Sequence, residues 1–227
     1  MSINILGHYM AYVFQAFLRL CMRGLMRLGG KTLVVERQER IQNLKGPFLI
    51  VSNHRHAMDA FHIGMALPYT WEIFPVHFLA TRQFKTRPLA ILTKLGIVPL
   101  VYKLGGVITI TRKIGIEKSL VDALAALKSG KTIVMFPEGT RNMGAGELLP
   151  IRDGAAYLAT MSGVPILPLF ISYTENTARI RFGNVFYLTD PDYKKGTPVI
   201  HTNLLSLAKE TISPKTRSIT EPAFAYK

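Results

Sequence analysis

A histidine and an aspartate five positions apart, His54 and Asp59, stand directly after an apolar run of the sequence. A carboxylate hydrogen-bonded to one imidazole nitrogen fixes the tautomer and stabilises the imidazolium, so that the other nitrogen can act as a base. On one continuous helix the two side chains would point about 140° apart. The pair can therefore do this chemistry only if a turn lies between its members.

The sequence around the pair predicts such a turn. Residues 47–52 are a short apolar run with β-branched side chains, which indicates a buried strand, and residues 59–67 have a helical pattern that stops at Pro68. His54 then lies in a strand-to-helix turn and Asp59 near the start of the helix. The alternative interpretation is that Asp59 only caps the helix and His54 is an ordinary polar turn residue.

Two further charged motifs follow apolar runs that we expect to be strands. Arg112 comes directly after the β-branched run at 107–111, and the string Phe-Pro-Glu-Gly-Thr-Arg at 136–141 follows the run at 132–135. The repeated order of strand, motif and helix predicts an α/β fold with a mostly parallel central sheet flanked by helices. Because the carboxyl ends of parallel strands lie on one rim, we expect the three motifs to converge there.

The remaining segments complete the expected organisation. The apolar run at 164–171 contains two prolines, so we expect an edge strand or a bulged entry to one, and residues 203–211 are expected to form a short helix. The predicted units are an N-terminal amphipathic helical segment at 1–30, one α/β domain at 31–212 and a polar tail at 213–227.

The composition indicates a partner that is both anionic and apolar. The chain of 227 residues has 28 Lys and Arg against 14 Asp and Glu, a net charge of +14, and 48% hydrophobic residues. An anionic membrane surface fits both properties. Nucleic acid is not expected as a partner, because no nucleic-acid motif or aromatic-interleaved basic patch is present. The single cysteine, Cys21, excludes an internal disulfide and a cysteine-rich metal site.

The N-terminal segment is where we expect the membrane contact. Residues 3–18 contain no Asp, Glu, Lys or Arg, and cations then follow at a spacing of four, at Arg19, Arg23, Arg27 and Lys31. Such a helix lies in the membrane interface with its apolar face in the lipid, here predicted as Leu18, Cys21, Met22, Leu25 and Met26. The segment is short for a span and lacks the features of a secretory signal. The alternative is an amphipathic helix packed on the core.

Taken together, the motifs resemble those of the glycerolipid acyltransferase family, most closely its bacterial 1-acyl-glycerol-3-phosphate acyltransferases. The resemblance covers residues 32–175. The four family blocks match, in order, at 54–59, 106–112, 136–141 and 164–168. The chain departs from the family pattern at His56 and Asn142, where the family often has serine, and neither residue belongs to the His–Asp pair.

The resemblance implies transfer of a fatty acyl group from acyl-CoA or acyl-carrier protein to the free hydroxyl of 1-acyl-glycerol-3-phosphate (lysophosphatidate), giving phosphatidic acid. In this interpretation His54 is the general base and Asp59 orients it. The resemblance also implies an acceptor site with phosphate contacts at Arg112 and Arg141, shaped by Glu138, Gly139 and Thr140. No metal and no cofactor other than the acyl donor is expected, and the protein is expected on the cytoplasmic face of the cell membrane, peripheral or monotopic.

Several alternatives remain open at this stage. The same chemistry could act on another acceptor, namely glycerol 3-phosphate, a lysophospholipid or a lyso-amino-acid lipid. A non-catalytic basic membrane-binding protein is the alternative of another class. A metal site at His54 and His56 is a formal possibility, but no further cysteine or close His–Glu cluster completes it. Lys113 and Arg152 are candidates to strengthen the phosphate site.

Overall fold

The structure, a computed structural model, describes residues 5–81, 93–144, 148–210 and 217–218. The helices of the described ranges are α1 (Ile5–Leu28), α2 (Asp59–Ala66), α3 (Ile97–Leu104), α4 (Ile116–Lys128), α5 (Gly154–Ser162) and α6 (Tyr193–Lys209). The strands are β1 (Thr32–Glu36), β2 (Leu49–Ser52), β3 (Val76–Thr81), β4 (Ile108–Ile110), β5 (Thr132–Met135), β6 (Ile166–Tyr173), β7 (Thr177–Phe182) and β8 (Arg217–Ser218). A single 3₁₀ turn, Gln38–Arg40, follows β1.

The strands form one sheet in the order β4-β3-β5-β2-β6-β7-β1-β8. The first five strands in this order run parallel to one another, whereas β7 is antiparallel to β6, β1 is parallel to β7, and β8 is antiparallel to β1. The expectation of an α/β fold with a mostly parallel central sheet is therefore confirmed. The carboxyl ends of β4, β5 and β2, which carry the three charged motifs, lie on the same rim.

The central strand β2 is buried on both faces because helices cover both sides of the sheet. All four of its residues are buried, with Ile50 in one apolar cluster and Leu49 and Val51 in the other. Side chains of α1 and α2 pack in the first cluster, and side chains of α4, α5 and α6 pack in the second. This is the continuous apolar pattern expected of a parallel strand at the centre of a doubly covered sheet.

The prediction of an edge strand at 164–171 is wrong, since β6 lies between β2 and β7. The two prolines are accommodated by their positions along the strand. Pro165 precedes the strand, and its carbonyl accepts a hydrogen bond from the N–H of Leu49 at 3.0 Å. Pro168 stands one residue before the pairing with β7 begins at Leu169, so its missing N–H breaks no bond of that ladder.

The C-terminal helix is longer than expected. In place of a short helix at 203–211, α6 runs over 17 residues from Tyr193 to Lys209 and contains Pro198. Gly196 and Pro198 interrupt the sequence pattern of its first turns, which concealed them. Asp192 begins the helix by accepting a hydrogen bond from the backbone N–H of Lys194 at 3.0 Å. Of the predicted tail at 213–227, only Arg217–Ser218 belong to the described residues, where they pair with β1.

Helix α1 packs on the sheet with a different face from the one predicted. Met22 and Met26, expected in the lipid-facing stripe, pack against the core, and Arg19 donates to the carbonyl oxygens of Gly64 and Leu67 at 2.6 and 2.9 Å. The outward face carries the large exposed apolar side chains Leu6, Tyr9, Met10, Val13, Phe17, Leu20, Leu25 and Leu28. Within the described ranges, no helix combines the length and apolarity needed to cross a bilayer.

Candidate active site

The turn after β2 brings His54 and Asp59 into direct contact. Nδ1 of His54 lies 2.7 Å from Oδ2 of Asp59, and the same oxygen accepts the backbone N–H groups of Arg55 and His56 at 2.7 and 2.9 Å. Asp59 is fully buried. Its carboxylate therefore points back into the turn rather than capping the helix, for which Met58 occupies the N-cap position without a side-chain cap. The catalytic roles of both residues remain predictions.

Asp59 is held in its ionised form. Burial alone would raise its pKa, but the hydrogen bonds from His54, from Tyr173 and from the two backbone N–H groups outweigh burial and lower the pKa below its usual value. A lowered folded-state pKa stabilises the fold above the unfolded-state pKa, and this contribution is lost as the pH falls through the folded-state value. At neutral pH the imidazole of His54 thus faces a permanent negative charge.

The segment 136–142 holds His54 from three sides. The backbone N–H of His54 donates to Oε1 of Glu138 at 2.7 Å, and its carbonyl oxygen accepts the N–H of Asn142 at 2.7 Å. The ring of Phe136 stacks on the imidazole with centroids 4.2 Å apart and planes 17° from parallel. Both the backbone and the ring plane of His54 are therefore fixed by residues that follow β5.

Glu138 lies beneath the site rather than in its open part. It is 3% exposed, and its other oxygen, Oε2, accepts the backbone N–H of Leu149 at 3.1 Å. Burial raises the pKa of Glu138, an effect that the hydrogen bonds from His54 and Leu149 oppose. It is not among the residues that line the cavity described below. The structure thus gives Glu138 a scaffolding position, buried outside the cavity lining.

A cavity of about 990 Å³ opens beside His54 and has one cationic region. Of the residues predicted for substrate binding, Arg112, Gly139, Thr140 and Arg141 line it. Two further cations, Lys113 and Arg152, line the same region, and the described lining contains no aspartate or glutamate. This region is suited to an anionic group such as a phosphate.

Gly139 brings two of these cations together. Its φ of 69° is in the left-handed region, where a side chain would be strained. Its carbonyl oxygen accepts a hydrogen bond from Nη2 of Arg112 at 2.5 Å. A Cβ atom at this position would lie 3.0 Å from Nε of Arg152. Glycine therefore allows both guanidinium groups to approach the same loop.

The other part of the cavity wall is mainly apolar, with Gln15 and Arg19 among its polar residues, and comes from several elements. Helix α1 contributes Leu18 and Met22, α2 contributes Phe61 and Met65, and α3 contributes Val101. A ligand with an anionic head and an apolar chain would match the two regions of the cavity. Helix α1, which the sequence predicts to contact the membrane, therefore also forms part of the cavity wall.

Three residues that build the site were not identified from the sequence, one directly after β2, one on β6 and one on α2. The side chain of Asn53 makes two hydrogen bonds to the backbone of Ile171, at 2.9 and 2.7 Å, and so aligns the ends of β2 and β6. Two residues further on, the hydroxyl of Tyr173 donates to Oδ1 of Asp59 at 2.5 Å and contacts Nδ1 of His62 at 2.8 Å. The separation of 114 positions between Tyr173 and Asp59 left no local signal for this contact.

The described residues contain no group of three or more His, Cys, Asp or Glu side chains that could hold a metal ion. His56 is exposed and lies close to the backbone N–H of Met58. The expectation that the site works without a metal stays a prediction.

The fold and the site define a class of α/β protein in which a histidine, oriented by a buried aspartate, stands at the carboxyl rim of a largely parallel sheet. A family model described as Acyltransferase matches residues 32–172. The chain belongs to this acyltransferase family.

Individual relatives agree with this assignment. The chain is 29% identical over 161 residues to a 1-acyl-sn-glycerol-3-phosphate acyltransferase of Borreliella burgdorferi, covering 70% of this chain and 58% of that protein. It is 33% identical over 146 residues to the human 1-acyl-sn-glycerol-3-phosphate acyltransferase beta, covering 63% and 47%. The matches thus span about half the length of these relatives.

A solved structure shares the fold. The 1-acyl-sn-glycerophosphate acyltransferase PlsC of Thermotoga maritima superposes with a TM-score of 0.59 over 86% of this chain and 82% of that one, at 19% identity. At this identity the likeness supports the architecture and nothing finer.

The position of Glu138 predicts that its removal lowers the free energy of unfolding considerably. Glu138→Ala leaves the N–H groups of His54 and Leu149 without their acceptor, and we expect a loss of about 1–3 kcal/mol for each buried donor left unpaired. Glu138→Gln keeps one acceptor oxygen and should cost less. Urea unfolding followed by circular dichroism measures the change, with Glu117→Ala on the exposed side of α4 as control. Equal stability of Glu138→Ala and the wild type would contradict this role.

Proposed function

We propose that the protein transfers a fatty acyl group from acyl-CoA or acyl-carrier protein to the free hydroxyl of 1-acyl-glycerol-3-phosphate, giving phosphatidic acid. The observation that carries this proposal is the contact between His54 and the buried Asp59 beside a cavity with one cationic and one apolar region. The names of the relatives in Borreliella burgdorferi and human support the choice of acceptor.

The proposed mechanism uses His54 as a general base. Its Nδ1 is engaged by Asp59, so Nε2 receives the proton of the acceptor hydroxyl while the hydroxyl oxygen attacks the carbonyl carbon of the thioester. The C–O bond forms, the C–S bond breaks, and the proton passes from Nε2 to the leaving thiolate. A positioned base of this kind contributes about 10²–10⁴-fold to the rate. No acyl-enzyme is required.

The cations of the cavity bind the acceptor phosphate in this proposal. A phosphate monoester has about −1.5 to −2 charge at neutral pH and three acceptor oxygens. Arg112 uses one N–H on Gly139, which orients its guanidinium and leaves other donors for the ligand. Arg141, Lys113 and Arg152 supply further positive charge at the same region.

The two regions of the cavity and the His54–Asp59 contact also bear on the alternative acceptors and on a non-catalytic role. Glycerol 3-phosphate shares the phosphate but would leave more of the apolar wall unfilled, and a zwitterionic lysophospholipid would bring a positive charge towards a region without carboxylates. A non-catalytic membrane-binding protein has no use for a buried aspartate that orients a histidine. Lysophosphatidate therefore fits both regions of the cavity best.

We also infer that the protein works on the cytoplasmic face of an anionic membrane, as a peripheral or monotopic protein. The outward face of α1 carries large exposed apolar side chains, of which Leu20 is 70% and Phe17 60% exposed. Arg27 in the last turn of this helix and Lys31 just beyond its end are exposed, where they could reach lipid phosphates. Since α1 also lines the cavity, a lipid acceptor could enter directly from the membrane.

Loss of the base predicts loss of turnover. With palmitoyl-CoA and lysophosphatidate in mixed micelles, we expect His54→Ala to lower kcat by about 10²–10⁴-fold, measured as thiol release. His201→Ala on α6, far from the motif loops in the sequence, is the matched control. Undiminished activity of His54→Ala would refute the base role. Replacing lysophosphatidate by glycerol 3-phosphate, and acyl-CoA by acyl-carrier protein, identifies the acceptor and the donor.

Loss of a phosphate contact predicts weaker acceptor binding. Charge-assisted hydrogen bonds contribute about 1.5–3 kcal/mol, so Arg112→Gln should raise KM for lysophosphatidate by about tenfold or more. KM for the acyl donor should change little. Lys128→Gln at the exposed end of α4 is the control for loss of one positive charge. An unchanged KM for lysophosphatidate in Arg112→Gln would exclude this contact.

The outward face of α1 predicts which substitutions detach the protein from lipid. Phe17→Asp combined with Leu20→Asp should reduce sedimentation with phosphatidylglycerol vesicles, because it places charge where apolar side chains enter the lipid. Val121→Asp combined with Val199→Asp introduces the same charge at exposed positions on α4 and α6. The α1 membrane contact is wrong if both double variants bind vesicles as the wild type does.

A further inference from the structure

Asp59 presents two oxygens, and the two have different partners. Oδ2 contacts Nδ1 of His54 and accepts two backbone N–H groups of the turn. For Oδ1, the partner in the described part of the chain is the hydroxyl of Tyr173, at 2.5 Å. Tyr173 is the last residue of β6, the strand next to β2, so the carboxyl rim supplies this donor from a fourth strand.

The chemistry of the groups fixes the direction of each hydrogen bond. An ionised carboxylate only accepts, so the single proton of the Tyr173 hydroxyl is directed to Asp59. The hydroxyl oxygen then accepts from His62, whose Nδ1 lies 2.8 Å away and must carry the proton. The pKa of Tyr173 is raised, chiefly by burial and also by Asp59, so the hydroxyl keeps its proton. His62 thus donates to Tyr173, and Tyr173 donates to Asp59.

We propose that Tyr173 and His62 are positioning residues for the acyl transfer, which hold the Asp59 carboxylate in the orientation that engages Nδ1 of His54. The proposal rests on the base role of His54 proposed above. Neither residue lines the cavity, so both act through Asp59 rather than on the substrate. A carboxylate held at both oxygens is hindered from rotating away from the imidazole.

The helix geometry explains why His62 can join this chain of hydrogen bonds. His62 follows Asp59 by three positions on α2, so the two side chains lie on the same face of the helix. His62 is 7% exposed, and its pKa is lowered, mainly by burial. A neutral imidazole with its proton on Nδ1 is therefore the form that meets Tyr173. A hydrogen bond accepted by the hydroxyl oxygen also polarises the hydroxyl and strengthens its bond to Asp59.

The first test removes one hydroxyl. Tyr173→Phe should lower kcat by about tenfold, which corresponds to the loss of about one hydrogen bond to a charged group, with KM for acyl donor and acceptor unchanged. Tyr157→Phe removes a hydroxyl from another buried tyrosine, on α5 and outside the cavity lining, and should keep the wild-type kcat. An unchanged kcat in Tyr173→Phe would overturn the proposal.

A double-mutant cycle separates positioning from a general structural effect. If Tyr173 acts through Asp59, adding Tyr173→Phe to Asp59→Asn should cause no further loss of kcat. A residue that only supports the fold would lower kcat by the same factor in both backgrounds, and that result would refute the proposal.

The role of His62 is tested with one variant that keeps a hydrogen-bond donor near Nδ1 and one that has no donor. The amide nitrogen of His62→Asn can stand near the place of Nδ1, whereas His62→Leu has no donor. We expect His62→Asn to retain most of the wild-type kcat and His62→Leu to fall towards the value of Tyr173→Phe. Equal kcat values for these two His62 variants would exclude its part in the chain.

Failure of the proposed acyl transfer can be distinguished from failure of the positioning role. A wild type that does not release thiol with any acceptor would refute the acyl transfer, whereas an active wild type with unaffected Tyr173→Phe would refute only the positioning role. An independent readout is nitrogen NMR of protein labelled at histidine, with the His54 signal assigned by its loss in His54→Ala. Tyr173→Phe should shift the Nδ1–H resonance of His54, and Tyr157→Phe should not. An unshifted signal would count against the proposal even without turnover.

Discussion

A buried, ionised carboxylate at the start of the helix that follows the central strand is the constraint on which the site depends. Asp59 has no exposed surface, and an uncompensated charge there would cost several kcal/mol. It is compensated by two N–H groups of the turn, by His54 and by Tyr173. His54 and the two N–H groups belong to the turn after β2, whereas Tyr173 belongs to β6, so Oδ1 receives its donor only when β6 lies beside β2. The environment of the pair therefore depends on the pairing of β2 with β6 as well as on the turn.

A second buried carboxylate extends the same arrangement. Glu138 accepts the backbone N–H of His54, while Asp59 engages its ring, so the histidine is fixed by negative groups that are turned away from the cavity. The cations Arg112 and Arg141 line the cavity itself. The negative and positive side chains therefore have different tasks. The buried carboxylates orient groups of the protein itself, and the cations remain available to an anionic ligand. This separation explains how a basic site contains two acidic motif residues.

The sequence was sufficient for elements whose pattern is local. The strands at β2 and β5, the turn between His54 and the helix, and the shared rim all follow from short apolar runs and from the parallel arrangement. The position of β6 was not accessible, because prolines ordinarily indicate an edge and their tolerance here depends on where pairing with β7 begins. Tyr173 could not be found for the same reason, since its role requires β6 to lie beside β2.

The interior contacts of α1 were equally hidden, and they change the meaning of its basic residues. Spacing alone placed Arg19 in a stripe facing lipid phosphates, yet its guanidinium binds the last carbonyls of α2, the helix that begins with Asp59. Gln15, one turn earlier, bonds to the backbone of Val76 and Gly105. Because these buried polar contacts fix α1 to the walls of the cavity, its outward apolar face has a defined orientation relative to His54. A surface that bound this face would therefore meet the site in one orientation.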